Sequence, residues 1–153
     1  MAISHNTTEA RDIIYGQVKA LFDSLVLDTI GFPPGTSLTV IYDDQSEGTV
    51  PPNEAVLPWV KVTLSHVAST QEAMGETGQG LFQPIGLLVA QIYTKRGMGR
   101  TLAYALGDPL VDNLRASHPS GVRYNNVAIR DVGPSGPWTQ VNVRAEFEYD
   151  TLA

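Results

Sequence analysis

Two glycines stand between a run of apolar residues and a helical pattern: Gly97 and Gly99 flank Met98, and Arg100 and Thr101 follow. Such a stretch could hold a phosphate, because free backbone N–H groups at a helix start attract anions. Neither phosphate-loop template fits. A dinucleotide loop needs a third glycine where Leu102 stands, and a nucleoside triphosphate loop needs Gly-Lys-Ser/Thr where the chain has Gly99-Arg100-Thr101. The glycines read instead as a tight turn folding the helix back onto its strand. Asp43, Asp44 and Glu47 have calcium-ligand chemistry, but the Asp-x-Asp-x-Asp-Gly spacing and the closing glutamate are missing, so residues 43–53 read as a solvated acidic loop. His66 lies on the apolar side of a strand with neither a nucleophile nor a metal-ligand partner at useful spacing, and is expected to be a buried, hydrogen-bonded core residue. His5 falls in a flexible start, residues 1–5, and His118 in a turn. The chain has no cysteine, no Gly-x-Ser-x-Gly elbow and no His-Glu-x-x-His pair. No enzyme activity, metal or cofactor is expected; carboxylates meeting only in space are the route to acid–base chemistry that remains open.

Composition narrows the classes further. A chain of 153 residues is the size of one domain, and at that length roughly two thirds of the unfolded surface can be buried. Charged residues make up 17%, below the ordinary quarter, which reserves surface for contact with protein. The net charge of -6 opposes binding to a phosphate backbone, although an acidic wall would keep DNA from adhering as it passes through a pore. The N-terminus lacks a signal peptide's charged start and apolar core, and no apolar run approaches membrane-spanning length, so the chain is expected to act without crossing a membrane.

The elements are organised around residues 87–114. Leu87, Val89 and Tyr93 alternate with Leu88, Ala90 and Ile92, so this strand is apolar on both faces and belongs at the centre of a sheet. Leu102, Leu106, Leu110 and Leu114 then give a helix one apolar stripe. Gly107, Asp108 and Pro109 predict that this helix bends or restarts, with Asp108 as cap and Pro109 in the first turn. Asn6 followed by Glu9 marks the start of an earlier helix reaching about residue 28, striped by Ile14, Val18, Leu21 and Leu25. Strands are expected over 36–42, 56–69, 121–132 and from 138 onward. Val60, Val62 and Leu64 alternate with Lys61, Thr63 and Ser65, and Asn125-Asn126 suggests a bulge or a turn. The last strand sets Val141, Val143, Ala145, Phe147 and Tyr149 against Gln140, Asn142, Arg144, Glu146 and Glu148. Residues 71–84 read as a long flexible link that orders against another subunit, because Met74, Leu81 and Phe82 are costly to leave in water; a hairpin tip folded on its own domain is the alternative.

About five strands and two helices, in this order, make an α+β domain with a largely antiparallel sheet and both helices on one face. Two helices cover one side only, so the other is expected to be sealed by a hairpin or by a neighbouring copy.

The residues from Ile92 to Arg100, with Leu102-Ala103 and Leu106-Gly107-Asp108 after them, resemble the strand-loop-helix signature of tailed-bacteriophage tail terminator proteins, and residues 137–141 resemble the start of their last strand. The sequence departs where the family has Leu-Ala-Asp in an unbroken helix. The resemblance implies a homo-oligomeric, typically hexameric ring that sits on the tail tube, stops its polymerisation and offers its other face to a head or neck connector. It also implies location in the virion tail after assembly in the host cytoplasm, with DNA only as passing cargo. The expected contact residues, chosen for exposure, are Glu72, Met74, Glu76, Gln79, Leu81 and Phe82 in the link, Lys95, Arg96, Met98 and Arg100 in the turn, and Arg144, Glu146 and Glu148 on the last strand. Removing residues 76–80 is expected to impair ring formation or capping. Another head-tail adaptor, or a small acidic enzyme or ligand-binding module, is the alternative.

Overall fold

The computed structural model describes residues 5–36, 38–42, 58–73, 81–96, 100–136 and 138–152. Its first helix, α1 (Thr7–Ser24), begins where the sequence provides a cap: the Asn6 side chain accepts from the Glu9 amide at 2.8 Å and the Glu9 carboxylate accepts from the Asn6 amide at 3.3 Å. It stops before residue 28. Leu25 is extended and a single 3-10 turn, Leu27–Thr29, follows. Ending the helix there lets Leu27 and Phe32 enter the core, so tertiary burial overrides the apolar periodicity.

The sheet has the order β1 (Thr39–Tyr42), β2 (Trp59–Ala73), β3 (Leu81–Lys95), β5 (Trp138–Glu148), β4 (Arg123–Ser135), and a short β6 (Thr151–Leu152) pairs with the start of β3. Among the described strands only β1 and β2 run parallel; the other pairings are antiparallel. The central strand expected from residues 87–93 is β3. With α2 (Thr101–Ala116) and α1 on one face, the architecture is the α+β class the sequence predicts.

One layer of side chains forms the core. Val60, Ile92 and Val141 lie abreast on three neighbouring strands, as do Val62, Ala90 and Val143, and all are buried beneath the helices with Ile14, Val18, Leu106, Leu110 and Leu114. Leu88 sits opposite Ala145, and Gly86 opposite Phe147. A Cβ at residue 86 would overlap the Ser65 carbonyl oxygen and the Phe147 ring, so the glycine is the space in which that ring lies. A polar chain ties the helices to the far strand: Tyr124 donates to the Gln17 amide oxygen at 2.8 Å and Gln17 donates to Asn113 at 2.9 Å.

Three further expectations are corrected. The long link at 71–84 is ladder at both of its ends, where Gln71 pairs with Phe82 and Ala73 with Leu81, so β2 and β3 are the arms of one long hairpin; residues 74–80 lie outside the described residues. Pro84 is tolerated within β3 because its carbonyl, and hence its missing N–H, faces the break between β5 and β6, where the Tyr149 amide donates to it at 3.3 Å. The second helix is also continuous through Gly107 and Pro109. A Cβ on Gly107 would stand 3.1 Å from Ile129 and 3.3 Å from Val143, so the glycine brings the helix backbone close to the sheet, and fully buried Leu106, Leu110 and Leu114 hold the turn that proline weakens. The third concerns His66. It is hydrogen-bonded as expected, but it is largely solvent-exposed at the rim, with only part of it covered.

Candidate assembly surface

The sheet face turned away from the helices is built from alternate residues of the same strands. Across β2, β3, β5 and β4, the register sets Lys61, Gln91, Asn142 and Arg130 side by side, then Thr63, Val89, Arg144 and Ala128, then Ser65, Leu87, Glu146 and Asn125. Leu87 and Val89 are half-buried. The apolar second face read from the sequence is therefore a seam one strand wide, because both neighbouring strands place polar residues beside it. At one end of this face Trp59 and Tyr93 pair in register and stack at 4.6 Å, and both are buried. Burial pushes the Tyr93 hydroxyl pKa up.

A shallow groove of about 190 Å³ crosses the seam, lined by Leu87, Asn126, Ala128, Arg130, Arg144 and Glu146. That volume is below the roughly 300 Å³ at which pockets for drug-sized ligands begin. Register places Arg130 and Arg144 as diagonal neighbours on this face. Glu146 lines the same groove and makes no ion pair with either: its carboxylate accepts from Asn126 at 2.9 Å, and the positive φ of Asn126 belongs to the bulge at Asn125-Asn126. Lys61, Lys95, Arg130 and Arg144 make no ion pair among the described residues.

The expected contact residues separate into three places. Lys95, Arg96 and Arg100 gather where β3 ends: Lys95 pairs with Trp138, Arg96 donates to the Gly136 carbonyl at 3.2 Å, and Arg100 lies 3.5 Å from Asp131. Asp131 also accepts from the Tyr104 hydroxyl at 2.6 Å, and that bond is the first cause of the raised Tyr104 pKa. Glu72, Leu81 and Phe82 lie at the opposite end of the sheet, where Leu81 and Phe82 pair with β6. Met74, Glu76, Gln79 and Met98 lie outside the described residues. Arg144 and Glu146 line the groove between the two ends. Glu148 is engaged within the chain: Arg123 holds Glu148 at 3.3 Å and Asp150 at 3.1 Å. Burial works against the charge on Arg123, but hydrogen bonds to Asp150 and Glu148 outweigh it and its pKa is pushed up.

At the hairpin end, His66 Nε2 is 2.7 Å from the Tyr149 hydroxyl, and its ring meets Phe147 and Tyr149 edge-on. Partial burial lowers its pKa. Beyond Val62 the outer edge of β2 has no neighbouring strand among the described residues, and Val67, the extra residue of a bulge, is 72% exposed there. No three acidic or histidine side chains among the described residues are placed to hold a metal ion. No helix among them is long and apolar enough to cross a membrane. Sequence reasoning missed Lys61 and Arg130. Alternation placed Lys61 away from the core and left Arg130 unassigned; only the register across four strands reveals that they share a surface with Arg144.

No protein-family model matches the chain. No curated protein matches it either. Among solved structures, a chain whose designation describes no function superposes with a TM-score of 0.50 at 16% sequence identity, over 88% of this chain and 94% of its own, a likeness of fold alone.

Proposed function

We propose that this chain is a structural protein of the tail terminator type: copies assemble as a ring, typically a hexamer, on the end of a phage tail tube, stop its polymerisation and present a second surface to the head or neck connector. Supporting this is the separation of the contact regions. The Lys95–Arg100 turn and the β2–β3 hairpin lie at opposite ends of β3, a strand of 15 residues and so about 46 Å long at roughly 3.3 Å per step. A part that joins two unlike neighbours needs two such surfaces, and one that ends a repeating series needs the second to differ from the first. The strand-loop-helix resemblance over residues 92–108 supports the same reading. No catalytic step belongs to it, DNA is only cargo in the ring's lumen, and the assembled protein resides in the virion tail.

Electron microscopy of tails assembled without this protein tests the reading. Overlong, variable tubes are expected, with normal length restored when the protein is supplied; tails of normal length without it contradict the proposal. Labelled protein found at the portal and not at the tube end would select a head-tail adaptor instead.

A further inference from the structure

Two sets of like charges lie on opposite sides of the molecule, and neither makes an ion pair among the described residues. On the open sheet face, Arg130 and Arg144 flank the groove over Leu87, with Lys61 two strands from Arg144. On the exposed side of α2, Asp108 and Asp112 stand one turn apart, and neither makes an ion pair among the described residues. Like charges one helical turn apart, or on neighbouring positions of a strand pair, oppose each other. The helical layer and the open sheet face point in opposite directions, so the two sets cannot meet inside one chain.

We infer that copies of this chain dock head to tail, with the Asp108–Asp112 stripe of one copy seated on the Arg130–Arg144 groove of the next. Two guanidinium groups converging on a groove suit a carboxylate, which each can grip through paired N–H donors. Leu87 and Val89 supply an apolar floor that becomes fully dry only when the face is covered. The contact is heterologous: each copy offers one acidic and one basic surface, and repetition closes a ring or extends a filament. The alternative occupant, nucleic acid, is disfavoured by the net charge of -6. A basic face turned into a pore would also hold passing DNA back. The inference rests on the assembly half of the proposed function and not on what the ring caps.

Charge exchange tests it. The full chain, the variant Asp108→Lys/Asp112→Lys, the variant Arg130→Glu/Arg144→Glu and the chain carrying all four changes are compared by sedimentation at low and high salt, with circular dichroism checking the fold. Self-association is expected in the full chain and weakens with salt; each double variant loses it at least tenfold, and the fourfold variant or an equimolar mixture of the two doubles regains it. The milder pair Asp108→Asn and Arg144→Gln weakens it in the same sense should a reversed variant misfold. A full chain that stays monomeric at every concentration and salt overturns the docking, as does association unchanged in both doubles. Retention of duplex DNA by the full chain, lost in Arg130→Glu/Arg144→Glu with mass unchanged, assigns the face to nucleic acid and also overturns it. Restored association together with normal tails made without the protein would keep the docking and remove the tail reading.

Discussion

At the scale of residues, His66 shows how an apolar position can carry a polar side chain. It shares its row with Gly86 and Phe147; the missing side chain at residue 86 lets the Phe147 ring lie over the strand, and the imidazole meets that ring nearly at a right angle. Its Nε2 reaches the Tyr149 hydroxyl, whose pKa is raised by burial and partly restored by a bond with Thr7. Because burial lowers the His66 pKa from 6.5, the unfolded chain takes up that proton more readily than the folded one. Its contribution to stability is therefore complete above the unfolded value and is lost as pH falls through about 6.5 toward the folded value. Thermal unfolding followed from pH 7.5 to 5.5 should show a falling midpoint, with a shallower fall in His66→Gln. Equal slopes in the two proteins would remove His66 from the account.

At the scale of elements, alternation and capping were legible and lengths were not. The Asn6–Glu9 cap, the four-leucine stripe of α2, the bulge at Asn125-Asn126 and the inward row of β5 all follow from local pattern. The extension of the β2–β3 hairpin through Gln71 and Leu81 did not, because polar residues and Pro84 look like a loop until a partner strand supplies the ladder. Continuity of α2 through Pro109 was hidden for a similar reason: leucines on both sides are pinned by the sheet, a restraint the local sequence does not display. Proline in a helix interior costs about 3 kcal/mol through its lost hydrogen bond, here the one to the Ala105 carbonyl, while its stiffening of the unfolded chain returns less than about 1 kcal/mol. Pro109→Ala is thus expected to raise the unfolding free energy by about 1 to 2 kcal/mol in urea titration. A loss of stability would show that packing of the proline ring outweighs the missing bond.

At the scale of the whole molecule, the sequence correctly implied that both helices pack on one face of the sheet, and it overstated how apolar the other face is. Leu87 and Val89 form a narrow seam, while Lys61, Arg130 and Arg144 make it basic in a chain whose net charge is -6. The candidate surface was only half readable. Arg144 and Glu146 were found from strand alternation, whereas Arg130 entered only when the bulge at Asn125-Asn126 set its register against Asn142. The proposed docking uses the opposite charges on the two sides of the sheet, and assembly is the claim on which the functional proposal depends. Native mass spectrometry of the full chain, across protein concentration at low ionic strength, tests that claim most directly. One closed oligomer of fixed copy number, with six copies expected, is the predicted spectrum; a monomer at every concentration would contradict it.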